Sequence, residues 1–186
     1  MGNEETKVLT HKEAASLFGM DCYGFLGTMD LRGTDFEVFE DGEWKIGGDL
    51  IISGSEIREL PEWIMAEEID AHCSKLKELP EHLCAAFLDI RDTEIETLPR
   101  ELDIWGDYRA GSIDIRGSKV RHIPFIESLA TKNNRYIQSF DEVESIYADP
   151  GQVLSAAVGM VVFDGETKYT IIDGEIAVVR GKQREL

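Results

Sequence analysis

Hydrophobic and polar residues recur in one pattern through the middle of the chain. Five segments share the pattern, and they start at Met29, Leu50, Ile69, Leu88 and Ile113, at intervals of 21, 19, 19 and 25 residues. Each begins with two apolar residues separated by one other residue, which is Asp in four of the five segments. A Ser or Thr, two further apolar residues and, in the last four segments, a proline follow. The alternation that opens each segment is typical of a short β-strand.

Each segment has a single apolar face, so one segment cannot bury that face without a neighbour. Stacking the segments side by side creates one continuous core and a parallel sheet of about five strands. Each segment has a Ser or Thr at the same position, where the chain leaves the strand. Its hydroxyl can hydrogen-bond the backbone groups that are no longer paired there. These hydroxyls belong to Thr34, Ser55, Ser74, Thr93 and Ser118. We therefore predict an α/β solenoid over residues 29–124.

Residues 1–28 are predicted to form an N-terminal tail and a capping helix. Thr10 and Glu13 stand at the spacing of a capping box, and apolar residues recur from there to Phe18. Gly19 is expected to end the helix. Such a helix would cover the first repeat, whose apolar side would otherwise face water.

Residues 125–186 are predicted to be an α+β cap or a small second domain. A second capping box at Ser139 predicts a helix to about Ala148, and the Asp-Pro pair at Asp149 predicts another helix that ends near Gly159. The apolar and alternating residues that follow are separated by two Asp-Gly turns. This last pattern predicts a three-stranded antiparallel meander.

The repeat resembles the leucine-rich repeat family, whose pattern is LxxLxLxxNxLxxLP. The resemblance covers residues 29–124 and departs at the asparagine position, which is Ser or Thr here. It is most similar to the short leucine-rich-like repeats of phage and bacterial proteins, with units such as LxVGGxLDLxGTxIxxLP, which residues 45–50 and 113–118 match in part. The resemblance implies a leucine-rich-repeat-like sheet and a non-enzymatic protein-binding module, with an accessory or anti-defence role in a phage or bacterium.

Composition narrows the classes of partner. Apolar residues make up 42% of the chain and charged residues 30%, which is enough for a packed core. The 37 acidic residues outnumber the 19 basic ones, and the net charge of −18 argues against direct binding of nucleic acid or of an anionic membrane. The odd number of cysteines, three, favours a reducing compartment. We expect a cytoplasmic protein that binds another protein and needs no cofactor.

An insertion in the fourth interval is the first candidate for partner binding. The interval is six residues longer than its predecessor, and the extra chain lies between Ile104 and Ser112. Insertions into repeats form loops that often belong to the binding face, and Trp, Tyr and Arg dominate interface energetics. The candidate residues are Trp105, Asp107, Tyr108 and Arg109. The alternative is that the two aromatic side chains pack on the C-terminal cap.

The outward strand positions are the second candidate. They place an acidic residue two positions before a basic one in successive strands, so charged side chains would form two columns across the sheet. Such columns are either a binding face or charge pairs between strands that keep an exposed sheet soluble. The candidate residues are Asp70, His72, Asp89, Arg91, Asp114 and Arg116.

Catalytic and metal-binding motifs are weak. His72, Cys73, His82 and Cys84 do not have the spacing of a zinc finger. The sequence contains no P-loop, no GxGxxG motif and no evident pair of a nucleophile and a base. We therefore expect no metal site and no enzymatic activity.

Mimicry of nucleic acid is the alternative function. Residues 29–124 hold 23 acidic and 11 basic side chains, a net charge of −12. Five strands span roughly 20–25 Å, and duplex DNA carries about 12–15 charges over that length. An acidic mimic would inhibit a DNA- or RNA-binding protein, although the interspersed basic residues interrupt its negative field.

Overall fold

The computed structural model describes residues 6–105, 111–129, 146–157, 160–163, 168–172 and 175–179. One α-helix, α1 (His11–Phe18), and one 3-10 turn (Glu127–Leu129) are the helical elements of this described part. Its strands up to residue 90 are β1 (Val8–Leu9), β2 (Met29–Asp30), β3 (Val38–Phe39), β4 (Glu43–Lys45), β5 (Leu50–Ile51), β6 (Trp63–Met65), β7 (Glu68–Asp70), β8 (His82–Ala85) and β9 (Phe87–Asp89). Its later strands are β10 (Asp103–Ile104), β11 (Ser112–Asp114), β12 (His122–Ile123), β13 (Ile146–Tyr147), β14 (Ser155–Ala156), β15 (Val161–Phe163), β16 (Lys168–Ile172) and β17 (Glu175–Val179).

Helix α1 begins and ends where the sequence predicts. The backbone N–H of Glu13 donates to Oγ1 of Thr10 at 3.2 Å, and the backbone N–H of Thr10 donates to the Glu13 carboxylate at 3.2 Å. Gly19 follows the helix at φ +77°, a backbone conformation that favours glycine, and its N–H bonds the carbonyl of Ala15. The capping box and the glycine stop are therefore both confirmed.

Nine of the described strands form one sheet, which we call the long sheet. Its strands lie in the order β2, β5, β7, β9, β11, β13, β15, β16 and β17, and the first seven are parallel. The first five belong to the five segments of the sequence pattern. Equivalent positions are paired from strand to strand, so that Leu50 lies between Met29 and Ile69, and Leu88 lies between Ile69 and Ile113. The predicted parallel pairing is confirmed for these strands.

A second parallel sheet, the short sheet, was not expected from the repeat pattern. Among the described strands it contains β4, β6, β8 and β10. Its register places Ile64 between Trp44 and Leu83, and all three side chains are fully buried. The chain therefore crosses from the short sheet to the long sheet within a few residues in the described connections 45–50, 65–68 and 85–87, and the core lies between the two.

The core consists of columns of equivalent positions. The inward residues of the long sheet and the apolar residues after each Ser/Thr turn are completely buried over several successive segments, which accounts for the strict recurrence of apolar residues in the sequence. Three such columns are Leu50, Ile69, Leu88 and Ile113; Ile52, Ala71, Ile90 and Ile115; and Ile57, Leu76, Ile95 and Val120.

The Ser/Thr hydroxyls bond the backbone where the chain leaves the long sheet, as predicted. Thr93 Oγ1 donates to the carbonyl of Ile90 at 2.7 Å, and Ser118 Oγ donates to the carbonyl of Ile115 at 2.6 Å. Ser55 instead accepts a hydrogen bond from a backbone N–H two residues on, at 3.3 Å. These hydroxyls are buried, so each satisfies a backbone group that water does not reach.

The helices predicted after residue 125 are wrong wherever the structure describes the chain. Ile146–Tyr147 is a strand between β11 and β15, and residues 139–145 of the first predicted helix lie outside the described residues. Asp149 begins a turn rather than a second helix, because Gln152 is drawn into the neighbouring segment. The buried Gln152 amide donates to the carbonyls of Ile115 at 2.7 Å and Ser118 at 3.2 Å.

Residues 146–156 contribute two strands that pair in parallel with strands of the preceding segment. Ile146 pairs with Ile113 and Ser155 pairs with His122, so both pairs are separated by the same number of residues. Beyond residue 125 the described secondary structure is β-strand and one 3-10 turn. The predicted α-helical content of this part is therefore not found in the described residues.

The C-terminal meander is confirmed. Strands β15, β16 and β17 pair in antiparallel order, with Val162 opposite Tyr169 and Ile172 opposite Glu175. The two Asp-Gly turns predicted to connect them, residues 164–165 and 173–174, lie outside the described residues. The meander extends the long sheet from its last parallel strand.

Replacing Thr93 by valine tests the role of the buried hydroxyls. Thr93→Val keeps the side-chain shape but leaves the carbonyl of Ile90 without this donor, so we expect the free energy of unfolding to fall by about 1–3 kcal/mol. Thr97 is exposed in the same segment, and Thr97→Val should change stability by less than about 0.5 kcal/mol. Urea denaturation of both variants gives the comparison, and equal effects would contradict the proposed role.

Candidate functional site

The charged columns of the long sheet are pairs within one segment, in which an aspartate ends the strand and its partner lies two residues beyond it. In each pair an aspartate accepts hydrogen bonds from the backbone N–H and from the side chain of the residue two positions later. Asp89 accepts from the backbone N–H of Arg91 at 3.0 Å, from its Nε at 3.0 Å and from its Nη2 at 2.6 Å. The same arrangement joins Asp30 to Arg32, Asp70 to His72 and Asp114 to Arg116.

In each pair the two side chains are already hydrogen-bonded to each other, so little unpaired charge is left for a binding partner. Asp89 and Asp114 are each only 4% exposed, and Arg91 also reaches Asp114 on the next strand at 3.6 Å. The hydrogen bonds that Arg91 donates to the Asp89 carboxylate raise the pKa of Arg91, and those that Arg32 donates to Asp30 lower the pKa of Asp30. The arrangement favours a stabilising role for this column over partner binding, and the pairs form mainly within one segment rather than between neighbouring strands.

The sequence candidates for metal binding are not brought together. His82 and Cys84 lie on β8 of the short sheet, whereas His72 and Cys73 follow β7 of the long sheet. Among the described residues, the one group of potential ligands close enough to share an ion is Asp70, His72 and Asp89. Both carboxylate oxygens of Asp89 already accept bonds from Arg91, so this group is occupied by its own ion pairs.

Trp105, the first candidate residue, lies at the edge of the short sheet. Its backbone N–H donates to the carbonyl of Ala85 at 2.8 Å, and its indole Nε1–H donates to Sγ of Cys84 at 2.8 Å. Burial raises the pKa of the Cys84 thiol to about 11, although the Trp105 bond opposes the shift. The other residues of the inserted loop, Asp107, Tyr108 and Arg109, lie outside the described residues.

The outer face of the short sheet carries half-buried aromatic and sulfur-containing side chains, which we call the tryptophan face. Trp63 and Met65 alternate with the buried Ile64 on β6 and therefore point away from the core. Met65 pairs with Cys84 on the next strand, and Trp105 follows one strand further. The face is defined by Trp63, Met65, Cys84 and Trp105. Trp105 and Met65 also line a groove of about 270 Å³ with Glu67 and Ala86.

Charged side chains surround the tryptophan face. Nζ of Lys45 lies 5.4 Å from the centre of the Trp63 ring and pairs with Glu43 at 2.9 Å. Asp103 is exposed on β10, and Glu67 is exposed on the turn between the two sheets. An apolar centre with a polar rim is typical of protein interfaces.

Acidic residues are concentrated at the corner where the short sheet turns into the long one. Partial desolvation of the Glu68 carboxyl, together with the negative charges of Asp49, Glu67 and Asp70, raises the pKa of Glu68. The ionised carboxylate is therefore disfavoured in the folded chain. A corner that retains such repulsion has charges that a cationic partner would stabilise.

A second exposed apolar surface lies at the N-terminal cap. Tyr23 is 83% exposed and Leu17 is 61% exposed, and the antiparallel bridge between Met20 and Phe25 holds the short hairpin after α1. A groove of about 490 Å³ runs from His11 along this hairpin. Sequence reasoning missed this surface and, of the tryptophan face, identified only Trp105, because neither surface recurs with the repeat.

Comparison of the chain with known protein families, with curated proteins and with solved structures finds no match. In the described part of the chain, no helix is long and apolar enough to cross a membrane.

Removing Arg91 tests whether the charged column stabilises the fold. Arg91→Met leaves the buried Asp89 carboxylate without its main partner, and we expect the free energy of unfolding to fall by about 2–4 kcal/mol. The Asp30–Arg32 pair has the same geometry with an exposed carboxylate, so Arg32→Met should cost less than about 1 kcal/mol. Urea denaturation at pH 7 measures both. A loss of partner binding without a loss of stability in Arg91→Met would contradict this assignment.

Replacing Glu68 by glutamine tests the repulsion at the corner. A carboxyl whose folded pKa is raised stabilises the fold below its unfolded pKa, and that contribution is lost as the pH rises through the folded pKa. Glu68→Gln should therefore raise the free energy of unfolding at pH 7, by less than about 1 kcal/mol, and the gain should disappear below about pH 4. Glu78→Gln, an exposed site on another side, is the control, and denaturation is followed from pH 3 to pH 8. A lower stability of Glu68→Gln at pH 7 would contradict the repulsion.

Proposed function

We propose that this chain is a leucine-rich-repeat-like solenoid of about five repeats that acts as a non-enzymatic protein-binding module. The parallel strands in constant register support the stacked arrangement, since equivalent positions of neighbouring segments are paired. Helix α1 would cap the first repeat. A stack of this kind offers a rigid, extended surface, which suits recognition of another macromolecule.

The tryptophan face is the observation that carries this proposal. Trp63 and Trp105 are partly exposed on an ordered sheet, where their positions are fixed before any partner arrives. Preformed aromatic anchors reduce the ordering cost of binding, and tryptophan is enriched among residues that dominate interface energetics. These features support our proposal that the protein-binding site lies on the short sheet and that the charged column of the long sheet has a stabilising role.

Acidic mimicry of nucleic acid is the second candidate function. The corner carboxylates Asp49, Glu67 and Glu68 favour it, because their mutual repulsion resembles that of neighbouring phosphates. On the long sheet, however, the carboxylates of Asp89 and Asp114 are bonded to arginines and buried. The structure therefore offers more support for an apolar protein interface than for a phosphate-like surface.

Capture of partners from a lysate of the source cells tests the proposal. The tagged full-length chain should retain a partner at both 50 mM and 500 mM salt, because an apolar interface is less sensitive to screening than phosphate mimicry. Trp63→Ala combined with Trp105→Ala should weaken binding of the purified partner at least about 30-fold, as expected for the loss of one anchor worth 2 kcal/mol or more. Isothermal titration calorimetry with the purified partner measures this change.

Tyr23→Ala is the matched control, because it removes an exposed aromatic side chain from a different surface. It should leave affinity within about twofold of the parent. If Tyr23→Ala abolishes binding and the tryptophan variant does not, the N-terminal hairpin is the interface and the proposed site is wrong. A partner that is a nucleic-acid-binding protein and dissociates at 500 mM salt would support mimicry instead.

A further inference from the structure

We infer that the tryptophan face binds a basic segment of a protein partner, with Lys or Arg side chains placed over the indole rings and against the surrounding carboxylates. This inference rests on the proposed function and names the chemistry of the partner. Three properties of the short sheet support it: the size of the groove, a cation already placed on one indole, and the balance of charge around the face.

The groove beside Trp105 has the size of a side-chain pocket. Its volume of about 270 Å³ lies below the range of sites that enclose a drug-sized molecule. Ile46, Met65 and Ala86 line it with apolar atoms, and Glu67 contributes a carboxylate. A lysine or arginine fits this combination, because its methylene groups can contact the apolar lining while its charged end reaches the carboxylate.

The chain itself already places a cation on this face. Lys45 lies on β4 with its Nζ 5.4 Å from the ring centre of Trp63, within the range of a cation–π interaction. Trp105 occupies the opposite side of the face, and among the described residues no cation is found over its ring. A basic partner would reproduce at Trp105 the contact that Lys45 makes at Trp63.

The charge around the face favours a cationic partner. Glu43 pairs with Lys45, and Glu101 pairs with His82 at 3.7 Å. Within the described part of the chain, no ion pair involves Glu67 or Asp103. The Asp103 carboxylate accepts a hydrogen bond from Sγ of Cys84 at 3.6 Å, but its negative charge, like that of Glu67, is not paired with a cation there. Both charges can therefore attract a basic partner, and the net charge of −18 attracts basic segments over a longer range.

The spread of the two indoles over the face favours an extended segment. Trp63 and Trp105 stand two strands apart, about 10 Å across the sheet, and four residues apart along the strand direction, about 13 Å. An extended peptide advances about 6.6–6.8 Å for every two residues, so a segment of about six residues spans the diagonal between the two indoles. A segment in which basic and apolar residues alternate could therefore contact both indoles and the carboxylates together.

The three tryptophans of this chain make a direct test possible by NMR. The indole of Trp44 is buried and donates to the carbonyl of Glu40 at 2.9 Å, so its signal is an internal control. The full-length protein is titrated with the peptide Ac-KLKLKL-NH2, with Ac-ELELEL-NH2 and with Ac-QLQLQL-NH2. The basic peptide should shift the indole signals of Trp63 and Trp105, leave that of Trp44 in place, and bind at least 10-fold more tightly than the other two peptides.

Charge variants test the two available carboxylates. Glu67→Gln combined with Asp103→Asn should weaken binding of Ac-KLKLKL-NH2 about 3- to 10-fold in 50 mM salt. Glu78→Gln combined with Glu96→Gln removes the same charge from another side of the molecule and should leave affinity within about twofold. Equal losses in the two double variants would show that net charge alone attracts the peptide, and would overturn the assignment of the site.

The outcomes separate this inference from the proposed function. Equal binding of the basic and the neutral peptide at Trp63 and Trp105 would overturn the basic chemistry and leave the protein-binding face in place. The absence of indole shifts with the basic peptide would also overturn the inference. The proposed function is tested separately by the partner captured from the lysate, and it fails at this face if that partner binds the Trp63→Ala/Trp105→Ala variant as tightly as the parent.

Discussion

Backbone hydrogen bonding between neighbouring segments is the constraint on which the rest of the structure depends. The parallel strands are two to four residues long, too short to be stable alone, and each obtains its bonds by lying in register with the next. Because Ile69 pairs with both Leu50 and Leu88, a position that points inward in one segment points inward in its neighbours. The register thereby fixes the core columns and, on the opposite side, the Asp–Arg pairs.

The elements that the sequence predicts correctly depend on local signals. The capping box of α1, the five strands that open the segments and the C-terminal meander each follow from a few consecutive residues. The turn at Asp149 could not be predicted in this way, because Gln152 bonds carbonyls of a segment more than thirty residues earlier. Its Asp-Pro start is equally compatible with a helix N-terminus, and the distant contact determines the outcome.

Repeated charged pairs mark the outer side of the long sheet, whereas the outer face of the short sheet carries side chains that differ from strand to strand. The Asp–Arg pairs recur in three of the five segments, and an Asp–His pair takes the same place in a fourth, so a pattern search finds them first. One row of the short sheet instead contains Lys45, Met65, Cys84 and Asp103, four different chemistries in register. Specific recognition requires such differences, and a search for repeated residues passes over them. For this reason the sequence located Trp105 only through the insertion, and Trp63 not at all.

The self-contained segment has a consequence for how proteins of this design change over generations. A segment such as residues 50–68 carries its own long-sheet strand, its own Ser55 turn and its own short-sheet strand. Duplication or deletion of one whole segment at the level of the gene would leave the pairing rules of its neighbours intact. The recognition surface can therefore lengthen or shorten in steps of one strand spacing, about 4.8 Å, without a new core.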